Sequence, residues 1–130
     1  MRIKCITTLI NNPDEYLLKS GWWHAEKYLT IGKEYEVYAV YSSYYSPGCD
    51  AYLICDDNYN DMNYYWPLYI PACFFEIIDE VKPSFWIISP DNPNYFGPAE
   101  IGPKYLEKLV DGDVTVLAAF RRIRKKVYQI

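Results

Sequence analysis

Polar and apolar positions alternate along much of this 130-residue chain, and the alternation changes period near its end. Residues 2–9, RIKCITTL, predict a first strand with Ile3, Cys5 and Thr7 on one face. NNPDEY breaks it. The clearest strand runs Glu34–Val40, where Glu34, Glu36, Tyr38 and Val40 alternate with Tyr35, Val37 and Ala39. SPGCD is a turn signal, since Pro fixes φ and Gly accepts positive φ. Ala51–Cys55, a short and nearly continuous apolar strand, is then the hairpin partner of the strand before the turn. DDNYNDMN is a polar loop. Tyr64–Tyr69 forms a strand interrupted by Pro67, apolar character resumes over Pro71–Asp79, and Phe85–Ile88 gives one more short strand.

SPDNPNYFGP has three prolines in ten residues and reads as irregular chain. Beyond it the period becomes helical. In PKYLEKLV, Tyr105, Leu106, Leu109 and Val110 share a face, with Pro103 suited to a first turn. Asp113 is placed to cap a final helix whose Val116, Phe120, Ile123 and Val127 recur at i, i+4, i+7 and i+11. Arg121, Arg122, Arg124 and Lys125 fall on its polar face. Short strands followed by two C-terminal helices make an α+β fold with a dominant antiparallel sheet, strongly bent or closed into a small barrel of about five or six strands. No repeat or composition shift divides the chain, so residues 1–130 are expected to form one globular domain.

Composition adds two facts. Fifteen tyrosines stand against five phenylalanines and four tryptophans, and tyrosine suits half-buried strands and interfaces. Net charge is −4, but the last ten residues, RRIRKKVYQI, hold five cations and no acid, leaving the first 120 with 8 cations, 17 acids and a net of −9. Such a body is repelled by a nucleic-acid backbone and attracted to basic partners. The basic tail suits the negative end of a helix dipole. No apolar run approaches the roughly 20 residues that span a bilayer, and no signal peptide is apparent. The expected location is cytoplasmic, with Cys5, Cys49, Cys55 and Cys73 reduced.

Catalytic and metal signatures are weak. His24 is the single histidine and no C-x-x-C pair occurs, which removes the usual zinc sites. Asp56, Asp57 and Asp61 lack the glycine and terminal glutamate of a calcium loop. Phosphate-binding and dinucleotide glycine motifs are missing. We expect no metal, no cofactor and no catalytic residue. Carboxylates beside tyrosines make interface anchors instead. The candidate partner-binding residues are Asp56, Asp57, Tyr59, Asp61, Tyr64, Asp79 and Glu80, with Asp56, Asp57, Tyr59 and Asp61 on an exposed loop.

Three phrases in order, LTIGKEYEVYAV at 29–40, AYLICDD at 51–57 and YIPACFFEIIDEVKPSFWII at 69–88, followed by YLEKLVDGD at 105–113, resemble small bacterial immunity proteins of polymorphic or contact-dependent toxin systems. The resemblance spans about two-thirds of the chain and implies a cytoplasmic, non-enzymatic protein that neutralises a cognate toxin domain, often a nuclease, by direct contact. It carries no functional residue across, because such families share no catalytic motif. GKEYEVY followed by YLICDD is also similar to SH3-like barrels, which would make the bent sheet a closed one. The alternative is a small ligand-binding or hydrolytic α+β domain with a cleft between sheet and helices.

Overall fold

The computed structural model describes residues 1–59, 67–111 and 113–128, without the side chains of Val110, Val127 and Tyr128. It is α+β, with two antiparallel sheets and short helices. The chain runs β1 (Arg2–Cys5), α1 (Glu15–Ser20), β2 (Glu34–Glu36), β3 (Ala39–Ser46), β4 (Cys49–Ile54), β5 (Leu68–Pro71), a 3₁₀ turn (Ala72–Phe74) and β6 (Phe75–Asp79). After these come β7 (Ile87–Ile88), β8 (Tyr95–Gly97), α2 (Tyr105–Val110) and α3 (Thr115–Tyr128). One sheet has the order β2-β1-β6 and the other β5-β4-β3-β8-β7.

The expected single bent sheet or SH3-like barrel is therefore replaced by two open sheets. The reason lies within the strand expected over Glu34–Val40. Tyr35 and Val37 enter one core, whereas Tyr38 and Ala39, adjacent in sequence, both enter the other. Side chains of one regular strand cannot do this, because neighbours point to opposite faces. The chain changes sheets here: Val37 N–H donates to Met1 O at 3.0 Å, and Tyr38 N–H donates to Leu53 O at 2.8 Å. A second crossing occurs at Ala72–Phe74, between β5 of the larger sheet and β6 of the smaller. Strands that switch sheets at a bend make the corners of packed sheets.

The larger sheet is the middle layer. Along β4, Tyr52 and Ile54 join the core against the smaller sheet, while Ala51 and Leu53 join the core under α2 and α3. A strand covered on both faces reads as continuous apolar chain, which explains AYLI. β3 and β4 form the expected hairpin, with Ala39 opposite Leu53 and Tyr41 opposite Ala51. The outer core holds Tyr105, Val116, Leu117, Phe120 and Ile123, all 7% exposed or less. Asp113 takes its capping place, accepting from Thr115 N–H at 3.0 Å, and this bond with the Thr115 hydroxyl holds its carboxyl below the ordinary value.

Other boundaries move. β1 ends at Cys5, because Ile6 and Thr7 N–H both donate to Phe74 O at the second crossing. The proline loop contains β8, which pairs Tyr95 with Tyr41 and Phe96 with Val40. Of Phe85–Ile88 only Ile87–Ile88 is strand, and β5 begins after Pro67, with Tyr64 and Tyr65 outside the described residues. The unforeseen α1 is one short turn pair with a single buried residue, Leu17. Asp14 caps it by accepting from Leu17 N–H at 2.9 Å, and Gly21 ends it at φ +81°.

Candidate functional site

The segment that leaves β4, Cys55–Tyr59, meets β2 and α3 at a cleft of about 250 Å³. Its walls include Glu34 and Glu36 of β2, Lys33 before it, Asp56, Asp57 and Tyr59, and Arg124 of α3. Alternation along GKEYE puts both glutamates on the outer face of the smaller sheet while Tyr35 goes inward, 5% exposed.

Asp57 is fastened inside this arrangement. Its Oδ1 accepts from Lys33 Nζ and from the Tyr35 hydroxyl, each at 2.8 Å, and its Oδ2 accepts from Thr30 Oγ1 at 2.6 Å. Its own N–H donates to Tyr28 O at 2.9 Å. Burial alone would raise its carboxyl, but the bonds from Lys33, Thr30 and Tyr35 outweigh that and hold it below the ordinary range. Burial, followed by the same carboxylate, pushes the Tyr35 phenol up. Asp57 thus ties the site to the Thr30–Lys33 turn and to β2.

Asp56 departs from the exposed loop expected for it. It is 4% exposed, because the chain is still turning out from between two covered faces when it reaches residue 56. Its Oδ2 accepts from Asn58 Nδ2 at 3.4 Å, while Oδ1 is buried with no hydrogen-bond partner among the described residues. Burial pushes this carboxyl up, against the N–H groups of Asn58 and of Asp56 itself, which favour the charged form. A raised acid contributes stability in its protonated state, present below the unfolded value of about 3.9 and lost as pH rises through the folded value. Asp56→Asn should therefore raise stability at pH 7 by about 1 kcal/mol, and urea unfolding should bring the two proteins together below about pH 4. A loss at pH 7 would instead show that the charged carboxylate has a cationic partner in the fold.

Tyr59 is half-buried. Its ring lies 6.3 Å from Phe120, and the Arg124 guanidinium covers it at 4.7 Å from the centroid. Arg124 is accordingly half-buried at the cleft, apart from the exposed Arg121, Arg122 and Lys125 with which helical periodicity groups it. The structure brings Asp56, Asp57 and Tyr59 together. It does not bring Asp79 and Glu80 to them. Asp79 sits at the end of β6, opposite Arg2, which in turn faces Glu36, so two strand spacings, about 10 Å, separate it from β2. Asp79 Oδ1 accepts from Val81 N–H at 2.9 Å, and Glu80 is exposed beyond it. Asp61 and Tyr64 lie outside the described residues.

Residue-by-residue inspection missed Glu34, Glu36, Lys33 and Arg124. The two glutamates were legible as a same-face pair in a period-two strand. Arg124 has no local signal, since only packing of α3 brings it over Tyr59. Two of the acids are already paired: Glu36 with the Met1 amine at 3.4 Å and Glu34 with Arg2 at 3.5 Å, the latter an exposed pair of little strength. Among the described residues, no group of three or more His, Cys, Asp or Glu side chains could hold a metal ion, and no helix is long and apolar enough to cross a membrane. Comparison with protein-family models, with curated proteins and with solved structures finds no match.

Proposed function

We propose that this chain is a bacterial immunity protein, acting in the cytoplasm without catalysis, that binds a cognate toxin domain through the acidic cleft and its tyrosine-bearing rim. The observation that carries the proposal is the convergence of Glu34, Glu36, Asp56 and Asp57 on one cleft, with a buried Asp56 oxygen lacking a partner among the described residues. Four acids line the cleft against two cations, Lys33 and Arg124, and Glu34 and Glu36 are engaged only by the long pairs to Arg2 at 3.5 Å and to the Met1 amine at 3.4 Å. A nuclease or other phosphate-handling toxin presents lysines and arginines around its active site. An arginine or lysine from that site entering the cleft would be held by charge-assisted bonds, and the rest of the face would block substrate.

The test looks beside the gene for this chain for a large secreted protein with a variable C-terminal domain, and uses that domain as the partner; the absence of such a neighbour would count against the assignment. Purified protein should bind that domain and protect cells that produce it. Glu34→Lys/Glu36→Lys should weaken binding at least tenfold, mainly through slower association, and should flatten its salt dependence. Unchanged affinity and salt slope would move the contact surface away from the cleft. Absence of any binding would remove the immunity assignment itself.

The second reading, a small-ligand cleft between sheet and helix, is favoured by the same unpartnered Asp56 oxygen. At about 250 Å³ the cleft falls just below the roughly 300–1,000 Å³ of sites for drug-sized ligands. It fits one amine or guanidinium, the size of a partner's side chain. Titration with methylguanidinium, followed by chemical shifts of Glu34, Asp56 and Tyr59, separates the two readings. Saturable micromolar binding supports the small ligand, and its absence leaves the protein partner.

A further inference from the structure

The ladder between β4 and β5 pairs Ala51 with Pro71, Tyr52 with Ile70, Leu53 with Tyr69 and Ile54 with Leu68. Two further residues along each chain, the same register sets Cys49 opposite Cys73. The ladder itself stops, because the chain enters the 3₁₀ turn at Ala72, but this turn stays packed against β4. The Cys49 thiol donates to Asp50 O at 3.8 Å, and it is close enough to Cys73 to push that thiol up. Directly opposed residues of antiparallel strands have Cα atoms about 4.5–5.5 Å apart, within the roughly 4.4–6.8 Å that a disulfide bridges. The other cysteines are placed differently. Cys5 is sealed in the inner core, with its thiol donating to Thr7 O, and Cys55 packs against the outer core.

We propose that Cys49 and Cys73 form a redox-active thiol pair that closes into a disulfide across the corner between β4 and the 3₁₀ turn, with a low-molecular-weight disulfide such as oxidised glutathione as oxidant. Cys73 is an exposed residue and Cys49 is half-buried, so the pair is within reach of such a reagent. Cys73 is exposed as a residue, but its sulfur is crowded enough that desolvation, and then the neighbouring Cys49, push its thiol up, so it is not the first attacker at neutral pH. The Cys49 thiolate attacks one sulfur of oxidised glutathione, forming a mixed disulfide and expelling one glutathione thiolate. Capping Cys49 removes its share of the push on Cys73. Cys73 then gives up its proton and attacks Cys49 sulfur, expelling the second glutathione. Two protein thiols become one disulfide, and one glutathione disulfide becomes two thiols. The closed ring encloses residues 50–72, and with them Asp56, Asp57 and Tyr59. This inference does not rest on the proposed partner.

The full chain is equilibrated in glutathione redox buffers of increasing oxidation, alkylated, digested and mapped by mass spectrometry. The expected result is a Cys49–Cys73 linked peptide, with loss of two hydrogen atoms from the intact chain and a Tm raised by roughly 5–10 °C over the reduced protein. Cys73→Ser should stop at a single glutathione adduct on Cys49, Cys49→Ser should stay largely unmodified at Cys73, and neither should show a rise in Tm. Separate glutathione adducts on both cysteines of the folded wild type, or a linked peptide containing Cys5 or Cys55 in place of this pair, would overturn the proposal. Mapping on the wild type decides the matter even if a serine variant fails to fold.

Discussion

Phe120→Ala should destabilise the protein by about 3–5 kcal/mol, the largest loss expected from any single side chain discussed here. Phe120 is fully buried and stands edge-on to Tyr38, with ring centroids 5.0 Å apart and planes at 80°. Truncation removes the transfer free energy of the ring and leaves a cavity between α3 and the middle sheet, which two regular elements cannot easily collapse to fill. Tyr59 also rests near this ring, with Arg124 above it, so the loss extends to one wall of the cleft. Denaturant unfolding checks the size of the effect, with an unchanged m-value if the fold is retained. Val114→Ala, at a residue 71% exposed just before α3, should stay within about 0.5 kcal/mol. A similar cost at both positions would mean that α3 is not seated by Phe120.

Asp57→Ala should cost about 2–3 kcal/mol at neutral pH. Three donors lose their acceptor at once: Lys33 Nζ, Thr30 Oγ1 and the Tyr35 hydroxyl. Lys33 can turn to water, but Tyr35 is nearly buried and cannot. The pH dependence follows from a lowered carboxyl. Its stabilising contribution is complete above the unfolded value of about 3.9 and is lost as pH falls through the folded value. Wild type and variant should therefore converge in acid below about pH 3.9, as wild type and Asp56→Asn do, but the gaps that open as pH rises have opposite signs: Asp57→Ala becomes less stable than wild type and Asp56→Asn more stable. Two adjacent aspartates with opposite pH signatures form an internal control. A constant gap between wild type and Asp57→Ala from pH 2 to pH 7 would exclude the charged network.

Much of the secondary structure was legible because it rests on local pattern. The β3–β4 hairpin follows from SPGCD, the doubly buried β4 from its unbroken apolar run, and the start of α3 from Asp113. The partition into two sheets was not legible. Tyr35, Val37 and Ala39 alternate faultlessly with their neighbours, and nothing in that alternation records that Tyr38 and Ala39 both turn to the outer core. β8 was hidden for a related reason. Prolines flank its three residues without occupying its paired positions, so proline content misdescribed the segment. The site was half legible. Polarity located Asp56 and Asp57, but whether a carboxylate faces solvent or Lys33 depends on contacts 24 residues apart. Arg124 required 64 residues of intervening chain to fold before it could meet Tyr59.

The three places where the backbone passes from one sheet to the other, after β2, after β5 and after β6, also fix how the molecule comes apart. Each sheet borrows strands whose chain neighbours belong to the other, so neither is a contiguous piece of polypeptide. Fragments cut anywhere between Tyr38 and Ala72 would strand partners of both. Opening therefore has no natural halfway stage at the corners, and the amides of Val37 and Tyr38 belong to the unit that exchanges with solvent only on global unfolding. The protein should resist being trimmed to a smaller unit, because its surface and both of its cores are threaded through the same crossings.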